Sequence, residues 1–160
     1  MNTISAEIVE KIWQETAAMS PLDAPKLINK FSRQHPLIVS YLLAAGHDIF
    51  NRYEQELFLF MGINVWKMMS QGKKPLPKVT EKILDKVEDN NFKMLDYLDG
   101  EAGIGFTETV EQFISNYNQP EILRYVVEAL FEEEEGVEIR DEMKGMIMVY
   151  LKTVIDCFDR

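Results

Sequence analysis

The chain has 160 residues, 46% of them hydrophobic and 28% charged, which is the composition of one compact, soluble domain. Its net charge is −10, with +2 on residues 1–78 and −12 on residues 79–160, so it lacks the basic face that a nucleic-acid-binding protein needs. One cysteine cannot form an internal disulfide, the first residues do not resemble a signal peptide, and the longest apolar run is too short for a bilayer, so we expect a cytoplasmic protein without membrane contact.

Helical periodicity dominates the chain from its first residues, and strand alternation is nearly absent. Isoleucines at a spacing of four predict a first helix over about residues 4–18. The capping-box pattern of Ser20–Asp23 predicts a second helix that ends near Arg33, and Pro36 opens a third. Gly46 is expected to end the third helix in the left-handed conformation, and Asp48 to cap a fourth that runs to about Ser70.

The second half contains four further predicted helices. Thr80 starts the fifth, which reaches about Leu98 and is followed by the loop "DGEAGIGFT". Thr107 or Thr109 caps the sixth, Pro120 opens the seventh, and the eighth runs from about Ile139 to Phe158. The prediction is therefore an all-α fold, with about eight helices in one compact bundle-like domain over 1–160.

Two segments suggest an internal duplication. "PLIVSYLLAA" from Pro36 and "PEILRYVVEA" from Pro120 align without gaps at an offset of 84, and the tyrosines at 41 and 125 coincide. This alignment predicts two pseudo-repeated four-helix halves, 4–70 and 80–158, joined by a Pro/Lys linker over 71–79. A chance likeness between two buried helices that each begin with proline remains the alternative.

The stretch "LLAAGHDIF", with its His47-Asp48 pair, resembles the central motif of the HD-domain phosphohydrolases. That all-helical family holds its metal ions with a first histidine, an adjacent His-Asp pair and a distant aspartate, so the resemblance implies a metal-dependent phosphohydrolase. The other histidine, His35, lies twelve residues earlier on the same predicted helix, which places the two rings about 18 Å apart. Two nitrogen ligands of one zinc-like ion lie within about 4 Å of each other, so we predict that His47 is not a metal ligand.

Other patterns that carry chemistry are weaker. Neither histidine has the preceding glutamate of a di-metal bundle, and "DGEAGIG" has neither the strand nor the basic residue of a phosphate loop. The acidic run Glu132–Glu135 lacks the ligand spacing of an EF-hand, and Cys157 lies on an apolar helix, as a buried cysteine does. We therefore predict no catalytic residue, no metal and no cofactor.

The fourth helix gives the one indication of a partner surface. On a helical wheel its polar residues gather in one stripe, with two apolar residues inside it, so that the predicted interface is Phe60, Ile63, Asn64 and Lys67. A neighbouring helix that covers this stripe is the alternative. We expect a non-catalytic helical interaction or regulatory module that forms a homodimer or binds another protein. A small-molecule-binding protein or the HD-like phosphohydrolase is the alternative function.

Overall fold

The computed structural model describes residues 2–100, 106–132, 136 and 138–160, and in these residues it contains eight α-helices and no strand. The helices are α1 (Ala6–Ala17), α2 (Ala24–Gln34), α3 (Pro36–Ala45), α4 (Arg52–Met69), α5 (Glu81–Gly100), α6 (Phe106–Asn116), α7 (Pro120–Phe131) and α8 (Asp141–Phe158). The predictions of an all-α fold and of eight helices are confirmed.

Helices α4 and α8 form the centre of the bundle. They pack against each other, α1 packs on α4, and α5 and α7 pack on α8. Phe58, Met61 and Val65 of α4 and Ile147 and Leu151 of α8 are fully buried. Both helices are apolar on most of their circumference, because each is surrounded by other helices.

The start of α4 differs from the prediction. Asn51 caps the helix, since its side chain accepts the amide N–H of Glu54 at 2.8 Å while the Glu54 carboxylate accepts the amide N–H of Asn51 at 2.8 Å. The prediction that Asp48 is the cap is wrong. Residues 46–49 form a turn, so the first backbone N–H groups of α4 that need a capping partner lie too far along the chain for Asp48.

The prediction of a left-handed Gly46 is also wrong. Its φ is −106°, a value that any residue adopts. What Gly46 provides is space, because a Cβ atom there would lie 1.9 Å from Cδ2 of Phe50. The small residue lets the aromatic ring of Phe50 fold back against the end of α3.

Two other predicted helix starts also differ. Asp23 precedes α2 but makes no side-chain capping bond, and the Ser20 hydroxyl accepts the amide N–H of Leu22 at 3.3 Å instead of closing a capping box. Helix α6 begins at Phe106, before the threonines expected to cap it. The glycine-rich loop falls largely on residues 101–105 and the acidic run on residues 133–135, which lie outside the described residues.

Several contacts among the first four helices have counterparts among the last four, as the predicted duplication requires. α1 packs on α4 as α5 packs on α8, α2 packs on α3 as α6 packs on α7, and α3 and α7 each contact both central helices. The two tyrosines differ in their partners: the Tyr41 ring lies 5.9 Å from that of Tyr150, while the Tyr125 hydroxyl accepts a hydrogen bond from Asn64. The duplication is not confirmed and stays a prediction.

Candidate binding cleft

A cleft of about 610 Å³ opens between α1, α4, α7 and the start of α8. Its apolar surface comes from α1, α4, α7 and the segment before α8, with side chains of Trp13, Leu57, Phe60, Tyr125, Ala129 and Ile139. This volume lies inside the range of about 300–1,000 Å³ that is usual for ligand sites. The cleft is therefore the candidate functional site.

The aromatic residues of the cleft are held by the packing of their helices. Val9 and Ile12 of α1 are buried in the core, which leaves the Trp13 side chain at the edge of the buried face, 39% exposed. Tyr125 is held by Asn64, which is fully buried and donates its side-chain N–H to the Tyr125 hydroxyl at 2.9 Å. Burial raises the pKa of Tyr125 to about 12, so that its hydroxyl is neutral at physiological pH.

Carboxylates surround this apolar surface. Among the described lining residues, Glu128, Glu132, Glu138 and Asp141 are acidic and Lys144 is the one cation. The Lys144 ammonium lies 3.0 Å from Asp141 and 5.0 Å from the centre of the Phe131 ring, so this cation and Asp141 are paired. Among the described residues, no lysine, arginine or histidine nitrogen lies within 4.0 Å of the carboxylates of the three glutamates. The rim of the cleft is negative.

One wall of the cleft is fixed by an ion pair. Glu54, at 0% exposure, accepts from the Arg140 backbone amide at 2.8 Å and from its guanidinium at 2.7 Å and 3.1 Å. The same guanidinium donates to the Ile49 carbonyl at 2.6 Å. These bonds hold residues 138–141 against the start of α4, and Glu138 and Asp141 of this segment line the cleft. The spacing Asn51-x-x-Glu54 could have been read from the sequence as a capping box, but no local pattern links Glu54 to Arg140.

The residues predicted for an interface separate in the structure. Phe60 is half-buried and lines the cleft, and Ile63 and Lys67 are half-buried. Asn64 is fully buried and turned toward Tyr125, so its assignment to a surface stripe is wrong. Its side-chain carbonyl has no hydrogen-bond partner among the described residues. The interface hypothesis itself stays a prediction. Of the four residues predicted for the interface, Phe60 is the one that lines the cleft.

The His-Asp pair lies on the exposed turn between α3 and α4. His47 Nδ1 is 2.9 Å from Asp48 Oδ1, and both side chains are exposed. His35 lies immediately before α3, half-buried, with its ring centre 4.8 Å from that of Phe158, and burial lowers its pKa below 6.5. Within the described ranges, no three His, Cys, Asp or Glu side chains are grouped to hold a metal ion.

A second polar cluster, which the sequence did not indicate, lies inside the bundle. The Lys152 ammonium donates to Asn91 and Asp156 at 2.7 Å each, and its nitrogen lies 4.9 Å from the centre of the Tyr117 ring. The Tyr117 hydroxyl donates to the other oxygen of Asp156. These groups satisfy one another and connect α5 and the end of α6 to α8. Next to them, burial raises the pKa of Cys157 to about 12, so the thiol is protonated at neutral pH and is a weak nucleophile.

The chain matches no family model, no curated protein and no solved structure in comparisons with known proteins. In the part of the chain that the structure describes, none of the helices combines the length and the apolar character that a bilayer crossing requires.

Proposed function

We propose that the protein is a non-catalytic helical interaction module whose cleft binds a basic, apolar segment of a protein partner, either another protein or a second copy of this chain. The observation that supports this proposal is the pairing of two features in one cleft. Trp13, Phe60 and Tyr125 offer aromatic surface. The carboxylates of Glu128 and Glu138 lie beside it, and no cation of the described residues pairs with them. Aromatic residues ringed by polar groups are typical of the centres of protein interfaces.

A lysine or arginine side chain of a partner matches both features. Its aliphatic stem packs on aromatic surface while its charged head stays at the rim, close to carboxylates. A cation over the face of an aromatic ring adds about 0.5–2 kcal/mol, depending on how far it is desolvated. The complementary signs also accelerate the encounter of the two proteins and orient the partner.

The chemistry of the lining also favours binding over catalysis. Its described residues include no histidine, cysteine, serine or threonine, and its cation, Lys144, is paired with Asp141. An activated nucleophile needs an adjacent base within hydrogen-bond reach. The groups present are suited to hold a cation.

The test is a titration with a synthetic amphipathic helix of leucine and lysine, followed by calorimetry and by the fluorescence of Trp13 in the Trp66→Phe background. Trp66 is 3% exposed and stacks on Phe31, so the remaining signal comes from the cleft. We expect binding of this peptide with a blue shift of Trp13, and no binding of a matched peptide of leucine and glutamate.

Two charge-removal variants complete this test. Glu128→Gln with Glu138→Gln weakens binding several-fold, whereas Glu81→Gln with Asp85→Asn, which removes the same number of charges from exposed positions of α5, leaves it unchanged. Equal binding of both peptides, or equal loss in both variants, contradicts the proposed function.

A small organic cation is the second candidate ligand, and the volume of the cleft favours it. About 610 Å³ accommodates a molecule with one or two rings. The test compares tryptamine with the alcohol of the same shape, in which a hydroxyl replaces the amine, by ligand-observed NMR. Tighter binding of the amine that disappears in Glu128→Gln with Glu138→Gln supports this candidate, and equal binding of the two compounds rules against it.

A further inference from the structure

The outer surface of α2 is positively charged, whereas the rim of the cleft is negatively charged. At 100° per residue, Lys26, Lys30 and Arg33 lie within one arc of about 60°, on the side away from Phe31. All three are exposed, and Lys26 has a weak ion pair with Asp23 at 3.9 Å. This basic face of α2 is built of three cations spaced about one helical turn apart.

An exposed apolar side chain lies next to this basic face. Leu22, two residues before the start of α2, is 81% exposed, the most exposed large hydrophobic residue of the described part of the chain. It is four residues before Lys26, and therefore at the same end of the basic face. An aliphatic anchor beside lysines and an arginine is the chemistry that we proposed for the segment bound by the cleft.

The acidic residues of the cleft rim and the basic residues of α2 also have the same spacing. Glu128 on α7 and Glu132, the C-cap residue that follows α7, are four residues apart on the cleft rim, about 6 Å along the helix axis. Lys26 and Lys30 have the same separation on α2. A helix face and a helix end that carry charges of equal spacing and opposite sign can form ion pairs along one line of contact.

The two surfaces are neighbours on one molecule. Ala17 lines the cleft, and Leu22 follows it by five residues, which span at most about 18 Å. The stacking of Phe31 on Trp66, with ring centres 4.5 Å apart, holds α2 on its own bundle with the basic face outward. A two-fold axis between two copies can therefore bring each basic face to the other copy's cleft in one closed interface.

We propose that the cleft of one copy binds the basic face of α2 from a second copy, and that the reciprocal contact forms a two-fold dimer. Leu22 enters the apolar surface near Trp13, while Lys26, Lys30 and Arg33 meet Glu128, Glu132 and Glu138. This proposal rests on the proposed function, because it names the partner segment of the same cleft.

The test is sedimentation equilibrium over a concentration series, with circular dichroism as the folding control. The wild type forms dimers, and reversal of the basic face (Lys26→Glu, Lys30→Glu, Arg33→Glu) weakens the dimer at least about tenfold. The matched control reverses three exposed lysines of α5 (Lys82→Glu, Lys86→Glu, Lys93→Glu), and it leaves the dimer unchanged.

Charge restoration makes the test specific. Reversal of the rim alone (Glu128→Lys, Glu132→Lys, Glu138→Lys) also weakens the dimer, and a chain that carries both triple reversals recovers it, because each contact again joins opposite charges. A wild type that is monomeric at millimolar concentration, or a dimer insensitive to both reversals, overturns the proposal. If such a monomer still binds the leucine–lysine peptide, the proposed function is retained and the α2 contact alone is wrong.

Discussion

The buried carboxylate of Glu54 is held by Arg140, a residue 86 positions later in the chain, through both the guanidinium and the backbone amide. This pair joins the first turn of α4 to the residue before α8, so it connects the two central helices at one end. It also fixes the segment that carries Glu138 and Asp141 into the cleft. The capping box of α4 and the wall of the binding site therefore share one side chain.

Glu54→Gln is expected to destabilise the fold by about 1–3 kcal/mol, because the amide cannot accept the same set of hydrogen bonds and leaves partly buried donors of Asn51 and Arg140 unsatisfied. Urea unfolding at pH 7 measures this loss. Asp48→Asn, at an exposed position three residues before the true cap, is the control and changes the free energy of unfolding little. An equal effect of both substitutions contradicts the assigned role of Glu54.

The same carboxylate predicts a dependence of stability on pH. Burial alone raises the pKa of Glu54, but hydrogen bonds from Arg140 and from the amides of Asn51 and Arg140 lower it below the ordinary value of 4.5. Because the folded-state pKa is the lower one, this stabilisation is present above about pH 4.5 and is lost as the pH falls through the folded-state value. Acid titration of the wild type and of Glu54→Gln checks this, since the variant loses less stability over the same range.

The cluster around Lys152 gives a prediction about an internal ion pair. Asp156→Ala leaves an ammonium that is about nine-tenths buried without its carboxylate, and we expect a loss of about 3–5 kcal/mol. The double variant Lys152→Met with Asp156→Ala removes both charges and is less destabilising than Asp156→Ala. A double-mutant cycle of Lys152→Met, Asp156→Ala and the double variant, measured by urea unfolding, gives the coupling, and additive effects of the two single substitutions contradict a direct interaction.

Gly46→Ala is expected to destabilise the protein by about 1–3 kcal/mol, because the added methyl group overlaps the Phe50 ring and forces it to move. Gly62→Ala has a smaller effect, since the nearest atom that its Cβ would meet is a terminal methyl group of Leu42 at 2.8 Å, a much smaller overlap than that with the Phe50 ring at 1.9 Å. The free energies of unfolding of the two variants give the comparison. A further variant, Gly46→Ala with Phe50→Ala, removes the overlap and tests its cause, because Gly46→Ala then adds little to the effect of Phe50→Ala.

The order of the helices could be predicted because apolar periodicity and helix-opening prolines are local signals. Pro36 and Pro120 each begin a helix where expected. Helix starts were harder to predict where two capping residues lie close together, as do Asp48 and Asn51. The glutamate three residues after Asn51 was the deciding local signal.

The cleft could not be predicted from the sequence, because its lining comes from segments as distant as Trp13 and Lys144. A helical wheel identifies which residues share a face, but it does not show which neighbour covers that face. Asn64 illustrates this limit: it shares a wheel sector with polar residues, yet α7 covers it and Tyr125 takes its hydrogen bond. The excess of acidic residues in the second half of the chain was visible in the sequence. The sequence did not show that some of these carboxylates lie beside aromatic residues in one cleft.

The exposed position of the His47-Asp48 pair leads to a prediction about metal content. Elemental analysis of the purified protein is expected to show no stoichiometric zinc, iron or manganese, because the pair lies on a turn and His35 is held between the rings of Phe31 and Phe158. His47→Ala serves as the control. A stoichiometric metal that is present in the wild type and lost in this variant contradicts the prediction and supports the HD-like alternative.

Phe60→Glu tests the role of α4 in assembly. Burial of an aromatic side chain stabilises an interface by about 1.5–3 kcal/mol. Phe60 is already half-buried in the monomer, so only part of this stabilisation is gained on association. A two-fold dimer contains two copies of Phe60, and the substitution is expected to weaken the dimer at least about tenfold. Tyr53→Glu is the matched control, because Tyr53 lies on the same helix, is 45% exposed and is outside the cleft lining. Light scattering over a concentration series measures the dimer, and circular dichroism measures the fold. A folded Phe60→Glu variant that dimerises like the wild type rules out this contact, whereas a variant that unfolds assigns Phe60 to the core.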